Sequence, residues 1–390
     1  MNEISLQHGI QWRKYKWSRE IELRHSSRRL LLMSLGISLA CAFGQPMAQQ
    51  RSVIDENGMV NVPAFGLPLS GYMSEESKRA FIERALHPPP IEYAESGEKV
   101  RRFRETIDRY IFTPFLARAR ARYPVLIARQ SFAGVRVDVV TPREGVAIGN
   151  ENRVLINLHG GGFLVGAGLG GLVESVPIVG VGKIKVISVD YRQGPEHEFP
   201  AASEDVAAVY GALLKKYKAS SIGIYGCSAG GQLAAMSMAW FQRQGLPKPG
   251  AIGIFCSGAA AVFGGDSYHT VPALVGEPPA PSRKAGDATE QPYGISRAYF
   301  GSADLSDPLL SPVVSPAVLA KFPPTLFITG TRDDSLSTAA YAHTQLVKAG
   351  ATADLHVWDG MWHAFLYDVD LPESREAFEV AVDFFREHLH

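Results

Sequence analysis

The sequence predicts an α/β fold: a mostly parallel central sheet with helices on both faces. Three observations carry this. From about residue 127 onward, short apolar runs of strand length alternate with helix-length segments, the pattern of a sheet covered on both sides. Around Gly226–Gly231 a short apolar strand meets a helix rich in small residues through a glycine-flanked turn. The chain has 390 residues, 46% of them hydrophobic, and no net charge, which suits one large globular domain with additional segments.

The first 48 residues differ in kind. Arg28-Arg29 precede the apolar run Leu30 to Phe43, which ends in Gly44-Gln45-Pro46-Met47-Ala48. A basic flank, a short apolar core and a small-residue end describe an export signal, with cleavage expected near Ala48. The run of 14 residues is shorter than the roughly 20 a spanning helix needs. Ser27-Arg28-Arg29-Leu30-Leu31-Leu32 also has the form of a twin-arginine signal. The expected location is therefore periplasmic or secreted. The alternatives are a membrane anchor through residues 30–43, or a true start further in. The leader carries seven Lys/Arg against three Asp/Glu, a net +4, so the remainder of a neutral chain is mildly acidic at −4. No basic stripe suggests nucleic acid, and no stable membrane insertion is expected once the leader is removed. The cysteines, Cys41, Cys227 and Cys256, make neither a disulfide framework nor a metal spacing.

Residues 49–72 read as a polar linker, and 74–122 as two helical stretches separated by Pro88-Pro89-Pro90. Ser74-Glu75-Glu76-Ser77 is an N-cap followed by first-turn acids. Val100, Phe103, Ile107, Ile111 and Phe115 recur at helical spacing through Glu98 to Arg122. Residues 49–125 are thus a linker with helices that could cap a site, and 126–390 form the α/β domain.

Within that domain, strands are expected at Val135–Val140, Arg153–Leu158, Lys185–Val189, Ile222–Tyr225, Ala251–Phe255, Thr325–Ile328 and Leu355–Trp358. Helices are expected at about 201–217, 229–243, 336–349 and 373–388. The first strand or two should form an antiparallel edge. Residues 262–300, rich in Gly, Pro and aromatics, interrupt the pattern and are a candidate lid. The last helix, ending Phe384-Phe385, reads most simply as core.

The turn Gly226-Cys227-Ser228-Ala229-Gly230 places a serine at a sharp strand-to-helix apex, with glycines relieving crowding on either side. A serine hydroxyl attacks only when a base removes its proton, a carboxylate orients that base, and N–H groups receive the developing oxyanion. His363 sits just past the strand Leu355–Trp358, whereas His356 lies within that strand, His343 in a helix, and His388 and His390 at the terminus. Asp333 and Asp334 both follow the strand Thr325–Ile328; Asp333 is favoured as the orienting acid, the other serving as a helix cap or first-turn acid. Ala229 and the loop His159-Gly160-Gly161-Gly162-Phe163 would supply the oxyanion N–H groups, with His159 structural.

Gly166-Ala167-Gly168-Leu169-Gly170-Gly171 followed by Asp190 also fits a dinucleotide fingerprint. The first glycine does not follow its strand directly, so a flexible loop beside a pocket is the preferred reading. Asp190, Glu196 and His197 are read as structural.

Together these motifs resemble the hormone-sensitive-lipase-like (HGGG-motif) esterases of the α/β-hydrolase fold. The resemblance covers roughly 130–390. It rests on His159-Gly160-Gly161-Gly162, on Asp190-Tyr191-Arg192 leading to Pro195-Glu196 and Phe199-Pro200-Ala201, on Gly226–Gly231, and on Gly330-Thr331-Arg332-Asp333 with His363. It implies a triad of Ser228, Asp333 and His363 and oxyanion donors at Gly161, Gly162 and Ala229, with Gly160 adjoining. It also implies a cap built from the N-terminal helices and an insertion, a small-molecule ester as substrate, short or medium acyl chains, and no cofactor or metal. Cys227 departs from the Asp or Thr often found before the nucleophile, which leaves the subgroup open. The same triad would serve a lactonase, amidase or sugar deacetylase; a non-catalytic binding protein on this scaffold is the alternative from another class.

Overall fold

A computed structural model describes residues 52–56, 58–261, 264–276 and 297–390. Residues 1–48, expected to be a leader and including Cys41, and parts of the candidate lid, 262–263 and 277–296, lie outside the described residues.

The chain divides into two units, residues 1–65 and 66–390. The first contains, in its described part, a small antiparallel pair, β1 (Val53–Ile54) with β2 (Val60–Asn61). The stretch expected to be linker thus carries a short exposed ladder.

The second unit is built on an eight-stranded sheet: β3 (Val125–Phe132), β4 (Val135–Pro142), β5 (Val154–Leu158), β6 (Val186–Val189), β7 (Ile222–Cys227), β8 (Ala251–Phe255), β9 (Thr325–Arg332) and β10 (Ala353–Trp362). The order across the sheet is β10-β9-β8-β7-β5-β6-β4-β3. β3 pairs antiparallel with β4, and β4 antiparallel with β6; every other pairing is parallel. The antiparallel edge lies where the sequence predicts it, and β3 extends it by one strand beyond those predicted.

Helices in chain order are α1 (Glu75–Leu86), α2 (Gly97–Ile107), α3 (Thr113–Arg122), α4 (Leu169–Gly182), α5 (Ala201–Leu214), α6 (Ala229–Gln244), α7 (Asp266–Val275), α8 (Arg297–Phe300), α9 (Pro316–Leu319), α10 (Leu336–Lys348) and α11 (Pro372–His388). Because neighbouring strand residues point to opposite faces, the sheet feeds two cores. Ile156, Ile224, Ile254 and Phe327 join α5, α6 and α10 on one face. Leu155, Tyr225, Phe255 and Ile328 join α4 and α11 on the other, where Phe384 and Phe385 are buried.

Two expectations change. The predicted helix over Glu98–Arg122 is two helices joined by a π-helical turn, Asp108–Phe112, which keeps Phe112 buried against Gly170. Residues Leu169–Gly182, partly read as a flexible glycine loop, form α4. Gly170 and Gly171 lie buried in its first turn, with a Phe112 ring atom 3.1 Å from where a Gly170 Cβ would stand. That close packing leaves no room for a pyrophosphate, so the dinucleotide reading falls. No described helix is long and apolar enough to cross a membrane.

Candidate active site

Ser228 stands where β7 turns into α6, with φ +56° and ψ −123°, a conformation a serine adopts only at a cost of about 1–3 kcal/mol. The turn is held by the Ser228 N–H donating to Phe255 O at 2.8 Å. A side chain at Gly226 or Gly230 would overlap the Leu158 carbonyl, so β5, β7 and the start of α6 can meet only through glycine.

His363 follows β10, and its ring lies between the other two residues. Nε2 is 2.9 Å from Ser228 Oγ, and Nδ1 is 2.8 Å from Asp333 Oδ1. Asp333 is fully buried just past the end of β9. Its Oδ1 also accepts from the Ser335 N–H at 3.0 Å and hydroxyl at 2.8 Å, and Oδ2 accepts from the Thr329 hydroxyl at 2.9 Å. Burial alone would raise the Asp333 pKa, but the charge and hydrogen bond of His363, with the donors of Ser335, hold it below the ordinary value. Burial would likewise lower His363; the facing Asp333, helped by Asp334, outweighs it and raises the imidazole above its usual 6.5. The arrangement therefore favours an imidazolium, the species formed when the ring takes a proton.

Asp334 Oδ1 is 3.6 Å from the same Nδ1 and is part-exposed. Asp333, Asp334 and His363 also bring ligand atoms within 4.8 Å of one another, a spacing a metal could use. Both His363 ring nitrogens are already directed at Asp333 and Ser228, so the set is better matched to proton transfer than to a cation.

The glycine loop follows β5. Gly161 and Gly162 have φ of +116° and +62°, a region that glycine enters without strain. Among the described residues, the N–H groups of Gly161, Gly162 and Ala229 have no acceptor in the protein. Gly160 requires a correction. Its N–H donates to Glu174 Oε1 at 2.8 Å in a buried setting, so it cannot serve an oxyanion. Gly161, Gly162 and Ala229 remain.

His159 is buried and stacked on Tyr191 at 4.1 Å, with Nδ1 2.9 Å from Gly160 O. Burial lowers its pKa, keeping it neutral and structural. Asp190 pairs with Arg136, and Glu196 receives both Arg104 nitrogens at 2.7 Å. His197 is exposed. None of the three reaches the serine's hydrogen-bond chain.

The N-terminal helices lie over these loops. Phe81 of α1 sits 5.8 Å from the Trp362 ring, and Arg104 of α2 donates to Leu164 O and Gly194 O. Arg332, buried beside Asp333, donates to Leu274 O of α7 at 2.8 Å and Pro68 O at 3.3 Å, and stacks on Phe81 at 4.8 Å. One guanidinium thus ties the N-terminal segment, α1 and α7 to the acid loop.

Sequence reasoning missed Glu174 and Arg332. Glu174 had a signal: it is the only charge in the otherwise apolar stretch Leu169–Gly182. Arg332 was read only as part of a motif.

A family model described as an alpha/beta hydrolase fold matches residues 155–367. The "Putative acetyl-hydrolase LipR" of Mycobacterium tuberculosis is 31% identical over 285 residues, covering 72% of this chain and 87% of the relative. The crystal structure of an esterase named E25 superposes with a TM-score of 0.71 at 30% identity, over 86% of this chain and 100% of that one. An esterase of the bacterial hormone-sensitive lipase family gives a TM-score of 0.66 at 26% identity, over 81% and 99%.

Proposed function

The chain belongs to the α/β-hydrolase family, in the company of its hormone-sensitive-lipase-like esterases, and on that premise we propose that it is a serine carboxylesterase acting on short- to medium-chain esters through an acyl-serine. One observation carries the reading: the unbroken chain from Ser228 Oγ to His363, 2.9 Å, and from His363 to Asp333, 2.8 Å.

In this mechanism His363 Nε2 takes the Ser228 proton as Oγ attacks the ester carbonyl. The carbonyl oxygen becomes an oxyanion, received by the N–H groups of Gly161, Gly162 and Ala229. Each such donor is typically worth about 3 kcal/mol in the transition state. Asp333 stabilises the imidazolium and fixes its tautomer. The tetrahedral intermediate collapses, and His363 returns the proton to the departing alcohol. Water then attacks the acyl-serine with His363 again as base, and the carboxylic acid leaves.

One observation supports a small acyl group: a relative of this chain is named for acetyl hydrolysis. We read the N-terminal leader as directing export.

The test is a panel of p-nitrophenyl esters of rising acyl length, with lactone and amide substrates beside it, run on wild type and Ser228→Ala. Ester turnover declining with acyl length and lost in Ser228→Ala is expected. Well-folded protein that turns over none of them would overturn the reading.

A further inference from the structure

Glu174 is a buried carboxylate that the mechanism above does not use. It lies in the second turn of α4, and four donors converge on it. Oε1 accepts from the Gly160 N–H at 2.8 Å and the Tyr367 hydroxyl at 2.9 Å. Oε2 accepts from Asn157 Nδ2 at 2.8 Å and the Cys227 N–H at 3.3 Å. Asn157 is itself set by Ser188, whose hydroxyl donates to Asn157 Oδ1 at 3.1 Å.

The identity of these donors matters more than their number. Gly160 immediately precedes Gly161 and Gly162, whose N–H groups have no acceptor among the described residues. Cys227 immediately precedes Ser228. Tyr367 closes the short turn Phe365–Tyr367 that follows His363. One side chain therefore reaches the oxyanion loop, the nucleophile strand and the histidine loop, which are far apart in sequence. The fit around it is close: a Cβ on Gly160 would stand 2.5 Å from Tyr367 Oη and 2.8 Å from Cys227 O.

We propose that Glu174 is the positioning residue of this site, its carboxylate holding the Gly160–Gly162 loop, Ser228 and the His363 loop in one register for ester hydrolysis. This role rests on the esterase reading. Electrostatic stabilisation of an oxyanion depends on donors held at their final positions before the charge forms, so slack in the loop is felt in the transition state and hardly in substrate binding. A carboxylate suits the task because it only accepts. Two of its four partners, the Gly160 and Cys227 backbone N–H groups, cannot reverse their roles. A carboxamide at the same place would turn an N–H against one of them. Burial has a cost here: it raises the Glu174 pKa to about 7 in spite of the donors.

The experiment compares Glu174→Gln, Tyr367→Phe, Ser228→Ala and wild type on p-nitrophenyl acetate, per folded active site, with thermal midpoints and the inhibition constant of a boronic acid that forms a tetrahedral anionic adduct on serine. For Glu174→Gln, kcat should fall about 10- to 100-fold with KM within about threefold, and boronate affinity should weaken alongside kcat. A purely structural residue would lower the midpoint and leave kcat per site and boronate affinity at wild-type values; that result overturns the proposal. Should Glu174→Gln not fold, Tyr367→Phe decides. It removes one donor and leaves three, so a lowered kcat at unchanged KM supports the role and an unchanged kcat overturns it. Turnover that persists in Ser228→Ala overturns the esterase reading and this role with it. Turnover lost in Ser228→Ala but intact in Glu174→Gln overturns only the role of Glu174.

Discussion

Asp333 Oδ1 and His363 Nδ1 stand 2.8 Å apart, and the carboxylate is sealed from solvent while the neighbouring Asp334 lies 3.6 Å from the same nitrogen. The difference is set by the turn after β9. Ser335 and Thr329 donate to the Asp333 carboxylate, which fixes it facing His363.

Asp333→Asn should therefore lower kcat by about 10³- to 10⁴-fold, because an amide favours the wrong imidazole tautomer. Asp334→Asn should cost less than about tenfold. Steady-state kinetics of the two purified variants checks this; a larger loss at Asp334 would contradict the assignment of the acid.

The pH profile follows from the same pair. Activity needs a neutral His363, and Asp333 raises the pKa of the imidazole. The acidic limb of kcat/KM should then have its midpoint above 6.5, the ordinary value for histidine. Asp334→Asn removes a further negative charge that raises His363, so its limb should move to lower pH. A wild-type midpoint below 6.5, or a limb that moves up in Asp334→Asn, would count against the electrostatic account.

Gly230→Ala tests the packing of the turn. The added methyl would meet the Leu158 carbonyl, which belongs to β5 at the centre of the sheet and cannot move aside cheaply. A loss of about 3 kcal/mol or more in denaturant unfolding is expected. Wild-type stability would show that β5 and the start of α6 are further apart than described.

Where the strands and their carboxyl ends lie was largely readable, and so was which side chains stand just past those ends. Short apolar runs bounded by glycine mark β5, β7, β8 and β9, and reactive side chains follow those ends. The structure extends several of them: β7 runs on to Cys227, β9 to Arg332 and β10 from Ala353 to Trp362. Less visible was α4, Leu169–Gly182. Apart from Glu174 and Ser175 it is apolar, contains Pro177 and four glycines, and is buried on nearly every side, so it has neither helical periodicity nor helix-forming composition. Tertiary packing makes it a helix. Glu174 was hidden with it, and so was the use of the Gly160 N–H, since a motif read from sequence does not say which of its glycines faces inward. β3 was missed because most of its residues are exposed or only half-buried, which leaves little apolar pattern.

The proposed export gives a separate prediction. Expressed in a bacterial host, the protein should reach the periplasmic or secreted fraction and begin there near residue 49, as intact-mass measurement would show. A full-length N-terminus on that fraction would rule out cleavage near Ala48.

The central claim is that Ser228 carries the acyl group. Its most direct measurement is acid quenching during turnover of a p-nitrophenyl ester, followed by peptide mass mapping. The account predicts acylation of Ser228, a burst of p-nitrophenol close to one per active site, and neither in Ser228→Ala. Acyl transfer to another residue, or burst and turnover surviving in Ser228→Ala, would contradict it.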